Sequence, residues 1–403
     1  MPTFDEARNL ILQNVSPLPF ESTDLLGAVG RVLAEDVVSP WDLPYCNNSA
    51  MDGYAVRMED CAGGAPLRLT GYVPAGGTPP GPLEPGCAIK IMTGAPLPAG
   101  CEAVLPLEHA EEVDGTVRAV AKITPKQNMR FAGEDVRKGE VAIPAGTLIR
   151  PGEINMLASC GVASVKVNRV PRVTILSTGD ELTDIGEPLT PGKVVNSNSV
   201  SLGAAVKEAG GVPLLLGIAR DNVEDHRAKM REGLKGDVFI TSAGVSKGDR
   251  DFVRLVLAEL GVREIFTGVK VRPGSPTAFF MHGATPVFCL PGNPVAALLM
   301  FDEFVRPALR KLMGYTKVFK PTVRAVLERD LNKKPGNVQL VRVRLEFGEG
   351  KPRAASAGNQ NTAILSTMLK ANGVAVLPAE ATHFSPGDEI EVHSIAGGTE
   401  LLQ

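Results

Sequence analysis

The stretch Val173-Thr174-Ile175-Leu176-Ser177-Thr178-Gly179-Asp180-Glu181-Leu182 opens as a short apolar, β-favouring run and closes on hydroxyls, a glycine and two adjacent carboxylates. The first half suits a buried strand. The second half packs poorly and suits a site, because carboxylates at the end of a core strand need partners. In open parallel α/β sheets, ligands bind outside the carboxyl ends of the strands. Working outward, strands at 173–176, 213–218, 237–241, 264–269 and 286–290 alternate with helices near 198–209, 222–234, 251–260 and 294–313. That alternation predicts right-handed crossovers and a three-layer α/β domain over 171–317, its parallel sheet covered on both faces.

The flanks read differently. Phe4, Ala7, Leu10, Ile11 and Val15 recur at helical spacing, so an N-terminal helix lies within 1–19. Leu25, Leu26, Val29, Val32 and Leu33 suggest a second helix at 23–35, capped by Thr23 or Asp24. Short apolar runs cut by Gly/Pro turns make 46–138 a small β domain inserted into a mixed linker domain, 20–45 and 139–170. Strands at 322–329, 338–347, 373–377 and 388–393 make 318–403 a C-terminal β domain. The fold class is multidomain α/β plus β.

The 403 residues carry a formal net charge of −3, which gives no nucleic-acid footprint. No apolar run reaches membrane-spanning length, and MPTFDEARNLI lacks the basic and apolar regions of a signal peptide, so the expected location is cytoplasmic. Six scattered cysteines without CxxC spacing, beside five isolated histidines, read as reduced structural thiols and not as a zinc site.

Four strand ends carry candidate chemistry: Ser177, Thr178, Gly179, Asp180 and Glu181; Asp221; the run 239–252 with Asp249 and Asp251; and Pro291-Gly292-Asn293 before Pro294. A glycine-rich turn feeding a helix N-terminus favours anions. Carboxylates beside it favour a divalent cation bridging to phosphate. A phosphorylated ligand with Mg2+ is the bottom-up reading. With no GxxxxGK[ST] and no GxGxxG after a strand, neither a Walker-type NTPase nor a dinucleotide dehydrogenase fits. Asp180 and Asp251, taken alone, read as turn or cap residues.

Seven segments, NNSAMDGYAV (47–56), IMTGAP (91–96), GEDV (133–136), LSTGDEL (176–182), SAGVSKGDRDF (242–252), VRPGSPTAF (271–279) and LPGNPVAAL (290–298), together resemble the molybdopterin molybdenumtransferase family, which includes MoeA proteins and the C-terminal part of gephyrin. The resemblance implies an enzyme that inserts molybdenum from molybdate into adenylylated molybdopterin and releases AMP, with Mg2+ assisting. It implies an elongated homodimer in which the inserted β domain of one subunit completes the cleft of the other. A molybdopterin-adenylylating enzyme and molybdoenzymes are the partners it allows. It places catalytic positions on Asp52, Thr93, Asp135, Glu181 and Asp221, with Glu181 and Asp221 also the metal ligands. Ligand-binding positions fall on Ser177, Thr178, Gly179, Gly244, Ser246, Asp251, Pro291, Gly292, Asn293, Pro294, Arg272, Ser275, Arg342 and Thr362. Three positions depart from the pattern. A basic KPGK-like turn is here Arg272-Pro273-Gly274-Ser275, with Lys270 two residues earlier on the same strand face. A double glycine is Ala243-Gly244, and a late serine is Thr362. A non-catalytic molybdopterin carrier or scaffold, a tungstate-preferring paralogue and an adenylyl-transfer enzyme remain as alternatives.

Overall fold

The computed structural model describes residues 1–243 and 252–395. Gly244, Ser246, Asp249 and Asp251 lie outside the described residues. The chain divides into two compact units, Ser22–Lys166 and the remainder.

Helix α1 (Phe4–Asn14) starts where Thr3 and Glu6 cap each other reciprocally, and it buries Phe4, Ala7 and Ile11. In the unit 22–166, six strands form one mixed sheet: β1 (Gly53–Val56), β2 (Leu67–Val73), β3 (Cys87–Ile91), β4 (Ala103–Pro106), β5 (Ala110–Val113) and β6 (Thr116–Ala119). Their spatial order is β4-β1-β3-β2-β6-β5. Beside this sheet, Val37–Val38 pairs with Val141–Ile143, and a helix covers Pro151–Ser159.

The expected helix at 23–35 does not form. Residues 20–24 are a strand, and turns follow. Asp24 accepts the Gly27 N–H at 2.6 Å, Gly30 takes φ +77°, and Val32 bridges Leu148. Leu26 and Val29 are exposed. The apolar spacing was therefore not a buried face, and pairing with 147–149 outweighed a weak helical preference broken by two glycines.

The second unit holds the α/β domain: β7 (Arg172–Thr178), α2 (Ser197–Glu208), β8 (Val212–Ala219), α3 (Val223–Gly233), β9 (Val238–Ser242), α4 (Phe252–Glu259), β10 (Arg263–Thr267), β11 (Ala278–His282), β12 (Thr285–Leu290) and α5 (Pro294–Met300). The sheet order is β8-β7-β9-β12-β11-β10. Strands β8, β7, β9 and β12 are mutually parallel. Strand β11, unforeseen in the sequence, runs antiparallel to both neighbours, so the sheet is mixed at that edge. The single helix expected over 294–313 is interrupted by a π turn at Phe301–Val305 before helix α6 (Arg306–Leu312). Pro307 lacks the N–H that an unbroken ladder would use, which accounts for the wider turn.

Beyond it, β13 (Thr322–Leu327), β14 (Val338–Glu346), β15 (Arg353–Ser356), β16 (Gly373–Leu377) and β17 (Glu389–Ser394) close into a five-stranded barrel through the β14–β16 pairing. Its interior packs Val341, Val343, Leu345, Ala375 and Val392. Leu340 and Val374 join the α/β core instead.

Candidate functional site

At the carboxyl end of β7, Ser177 and Thr178 are buried. The Ser177 hydroxyl donates to Asn196 Oδ1 at 2.8 Å. The next residue, Gly179, has φ +135°, and a Cβ there would lie 2.2 Å from Glu181 Oε2. The glycine is needed for its backbone conformation, and the carboxylate folded over it is the end of an exposed side chain. Asp180 Oδ1 accepts the Asp221 N–H at 3.2 Å, which ties the ends of β7 and β8 together.

Around this end lies a cavity of about 220 Å3, walled by Ser177, Thr178, Glu181, Asn196, Asn198, Ser242, Ala243, Gly292 and Pro294 among others. Asp221 is half-buried beside the turn and outside that wall. Pro291 is buried, and Asn293 is the N-cap residue of α5, its side-chain oxygen buried and unpaired. Asn198 Nδ2 donates to Ser242 Oγ at 2.6 Å and to Gly292 O at 2.8 Å, so one amide joins the ends of β9 and β12. Asn196 and Asn198 escaped the sequence reading. The available signal was the polar run Asn196-Ser197-Asn198-Ser199 opening a helix. Ala243 takes φ +77°, the conformation a glycine would hold without strain, and its Cβ faces Gly292.

A second cavity, about 620 Å3, is lined by Arg272, Pro273, Asn332, Lys333, Lys334, Asn337, Gln339, Leu340, Gln360 and Thr362. Arg272 is placed by the pairing of Val271–Arg272 with Val338–Gln339. Ser275 is turned away from the wall: its hydroxyl donates to Val271 O at 2.6 Å. Arg342 is 1% exposed and stands behind the turn that carries Thr362, donating to Asn359 O and Asn361 O. Burial pulls its guanidinium below the usual range, and its Nε is unpaired. Lys270 is not among the residues that line this cavity.

In the other unit, the Asp52 carboxylate accepts both the N–H and the hydroxyl of Thr93, each at 2.7 Å. Those two bonds hold its pKa below the ordinary carboxylate value. Asn47 gathers the segments: its carbonyl accepts Leu97 N–H, and its side-chain oxygen accepts Ala132 N–H at 2.9 Å. The 47–52, 92–97 and 131–133 segments thus form one patch. Asp135 is exposed next to it, with its N–H bonded to Leu43 O. Among the described residues, no cluster of three or more His, Cys, Asp or Glu is arranged to hold a metal ion. Two carboxylates plus ligand phosphates are the alternative that Mg2+ ordinarily uses.

Residues 2–161 match the family model of the MoeA N-terminal region (domain I and II). Residues 174–311 match that of a probable molybdopterin binding domain, and 324–395 that of the MoeA C-terminal region (domain IV). The chain is 36% identical to the molybdopterin molybdenumtransferase of Nostoc sp., covering 97% of this chain and 93% of that one. It is also 36% identical to that of Haemophilus influenzae, covering 97% and 98%. The molybdopterin biosynthesis MoeA protein of Pyrococcus horikoshii superposes with a TM-score of 0.84 at 30% identity, covering 98% of this chain and all of that one. With relatives matched along nearly their whole length and three family regions in order, the chain belongs to the molybdopterin molybdenumtransferase family.

Proposed function

We propose that this chain inserts molybdenum from molybdate into adenylylated molybdopterin and releases AMP. The observation that carries the reading is the cavity at the ends of β7, β9 and β12, where hydroxyls, amides and the Glu181 carboxylate converge beside a helix N-terminus. Ser177, Thr178, Asn198 and the Gly292–Pro294 turn suit the hydrogen-bonding edges and phosphates of such a ligand. Glu181 and Asp221 would hold Mg2+, which would supply charge neutralisation at the phosphates. The cavity of Arg272 and Thr362 would take the molybdate oxyanion, steadied by the turn that Arg342 supports. Cleavage of the phosphate bond needs no covalent nucleophile here; positioned charge and hydrogen bonds suffice.

The Asp52–Thr93–Asp135 patch of one subunit would complete the cleft of a second copy. A homodimer in the cytoplasm is the form proposed; among the described residues, no helix is long and apolar enough to cross a membrane. The upstream adenylylating enzyme would be one partner and molybdoenzymes the others.

Purified chain mixed with adenylylated molybdopterin, Mg2+ and molybdate should release AMP only when molybdate is present. Ligand binding without AMP release would establish the carrier reading instead, and a preference for tungstate would mark a tungsten paralogue. Glu181→Gln should abolish AMP release while leaving the oligomer intact. Mixing inactive Asp52→Asn and Glu181→Gln subunits should restore roughly a quarter of wild-type activity, because half the randomly assorted dimers hold one intact shared cleft. No recovery after subunit exchange would exclude sharing.

A further inference from the structure

Molybdate at neutral pH is a tetrahedral dianion, with acceptor oxygens and no donors. The family-like basic turn offers one cation here, Arg272, because Ser275 replaces the second and spends its hydroxyl on Val271 O. Lys270, its neighbour on the same strand face, is not among the residues that line the cavity.

We propose that Lys334, in the wall of the same cavity, supplies the second positive charge of the oxyanion pocket. This deepens the transferase reading and rests on its placement of molybdate at Arg272.

Four observations carry the assignment. First, Lys334 and Arg272 line one cavity, together with Asn337, Gln339, Gln360 and Thr362, and among the described residues no carboxylate is in that wall. Second, neither the Arg272 guanidinium nor the Lys334 ammonium makes an ion pair among the described residues. Third, the adjacent lysine is already committed: Lys333 is buried and its ammonium donates to Pro378 O and Ala381 O at 2.8 Å and to Ala379 O at 3.2 Å. Fourth, those bonds, with Lys333 N–H on Thr382 O and Gly336 N–H on Ala379 O, fix the backbone on both sides of Lys334. Its stem therefore starts from a rigid point, and little ordering of backbone is needed to hold an anion. Two cations balance a dianion where one would leave it half-neutralised. The amides and the hydroxyl supply donors to the remaining oxygens.

The test is calorimetric titration of molybdate into the full chain at low ionic strength, with circular dichroism confirming the fold of each variant. Lys334→Gln should weaken binding about ten-fold and reduce its salt dependence, as loss of one charged partner does. Lys334→Arg should stay within about three-fold, and Lys270→Gln should match wild type. Lys334→Gln binding within two-fold of wild type would overturn the assignment, as would an equal loss in Lys270→Gln or no molybdate binding by wild type. AMP release is scored separately. Lys334-dependent molybdate binding without AMP release would overturn the transferase reading alone. Normal AMP release with unaltered Lys334→Gln binding would overturn the Lys334 assignment alone.

Discussion

Gly53 follows Asp52 directly, and two physical reasons for a glycine there make opposite forecasts. In a tight hairpin turn, Asp-Gly places glycine at positive φ, and asparagine is a tolerated replacement. The structure gives the other reason. Gly53 begins β1 between two partners, opposite Ile91 on β3 and Pro106 on β4, and its φ is not in the left-handed range. A Cβ there would lie 2.1 Å from Leu105 O, 2.9 Å from Leu105 C and 3.1 Å from Val104 Cγ1. A carbon–oxygen contact needs roughly 3.3 Å, so the strands would have to part by about 1.2 Å. Both sides are backbone held in a ladder, so little of this is relieved by a side-chain rotation. The cost should reach about 3 kcal/mol, the upper end of overpacking penalties. For a unit of this size that is roughly 6–12 °C in melting temperature. The chain's single tryptophan, Trp41, lies in the same unit and reports its melting by fluorescence. Gly53→Asn and Gly53→Ala should fall by similar amounts. AMP release should drop about a hundred-fold below the melting range, since an ångström of displacement at Asp52 breaks its alignment with Thr93. Melting of Gly53→Asn within 2 °C of wild type, with activity retained, would refute the close-approach argument and restore the turn.

Three further outcomes follow from buried polar groups. Glu303 is buried in the π turn and paired with Arg8 and His393; Arg8→Met should cost about 3 kcal/mol in denaturant titrations, because it strips a cation from a buried carboxylate. The same cluster sets a pH window. Burial pushes the Glu303 pKa up, but the His393 bond and the Arg8 charge outweigh it and hold it below 4.5, so its stabilisation fades as pH falls through that lowered value. Burial pulls His393 down, but its Glu303 bond prevails and holds it above 6.5, so its contribution is complete below 6.5 and is lost as pH rises through the raised value. The melting temperature should therefore decline on the alkaline side in wild type and not in His393→Gln. Asn198→Asp removes both amide donors from Ser242 and Gly292 and sets a charge beside a carbonyl; affinity for adenylylated molybdopterin should drop at least ten-fold in equilibrium binding.

These residues also show where sequence reasoning stops. Val173 to Leu176 reads as a buried strand because its residues are apolar or β-favouring; the structure carries the burial on through Ser177 and Thr178, whose hydroxyls are absorbed by hydrogen bonds. The 23–35 segment misled because its apolar spacing is helical while its hydrogen bonds go to 147–149, a partner that no local pattern reveals. Strand β11 is not among the expected strands, and Phe279 and Phe280 join the sheet by pairing with Phe288 and Val287 of β12. The site divides in the same way. Asp52 and Thr93 stand out in the sequence only through the family resemblance, and the bonds that join them span 41 residues; the Gly179–Glu181 turn is local and stands out by its own chemistry. Asn198 is not, since its meaning is the bridge between two strand ends that are distant in sequence. Lys334 is the sharpest case. Alternation along one strand sets Lys270 on the face of Arg272, which does not by itself make it the replacement for the cation missing at Ser275. The pocket, however, is built across strands. Arg272 pairs in register with Gln339, and the Lys333–Asn337 segment that precedes this pairing lines the same cavity as Arg272. A lost charge in one motif is therefore replaceable from any segment the sheet carries to the same wall, and only the register says which.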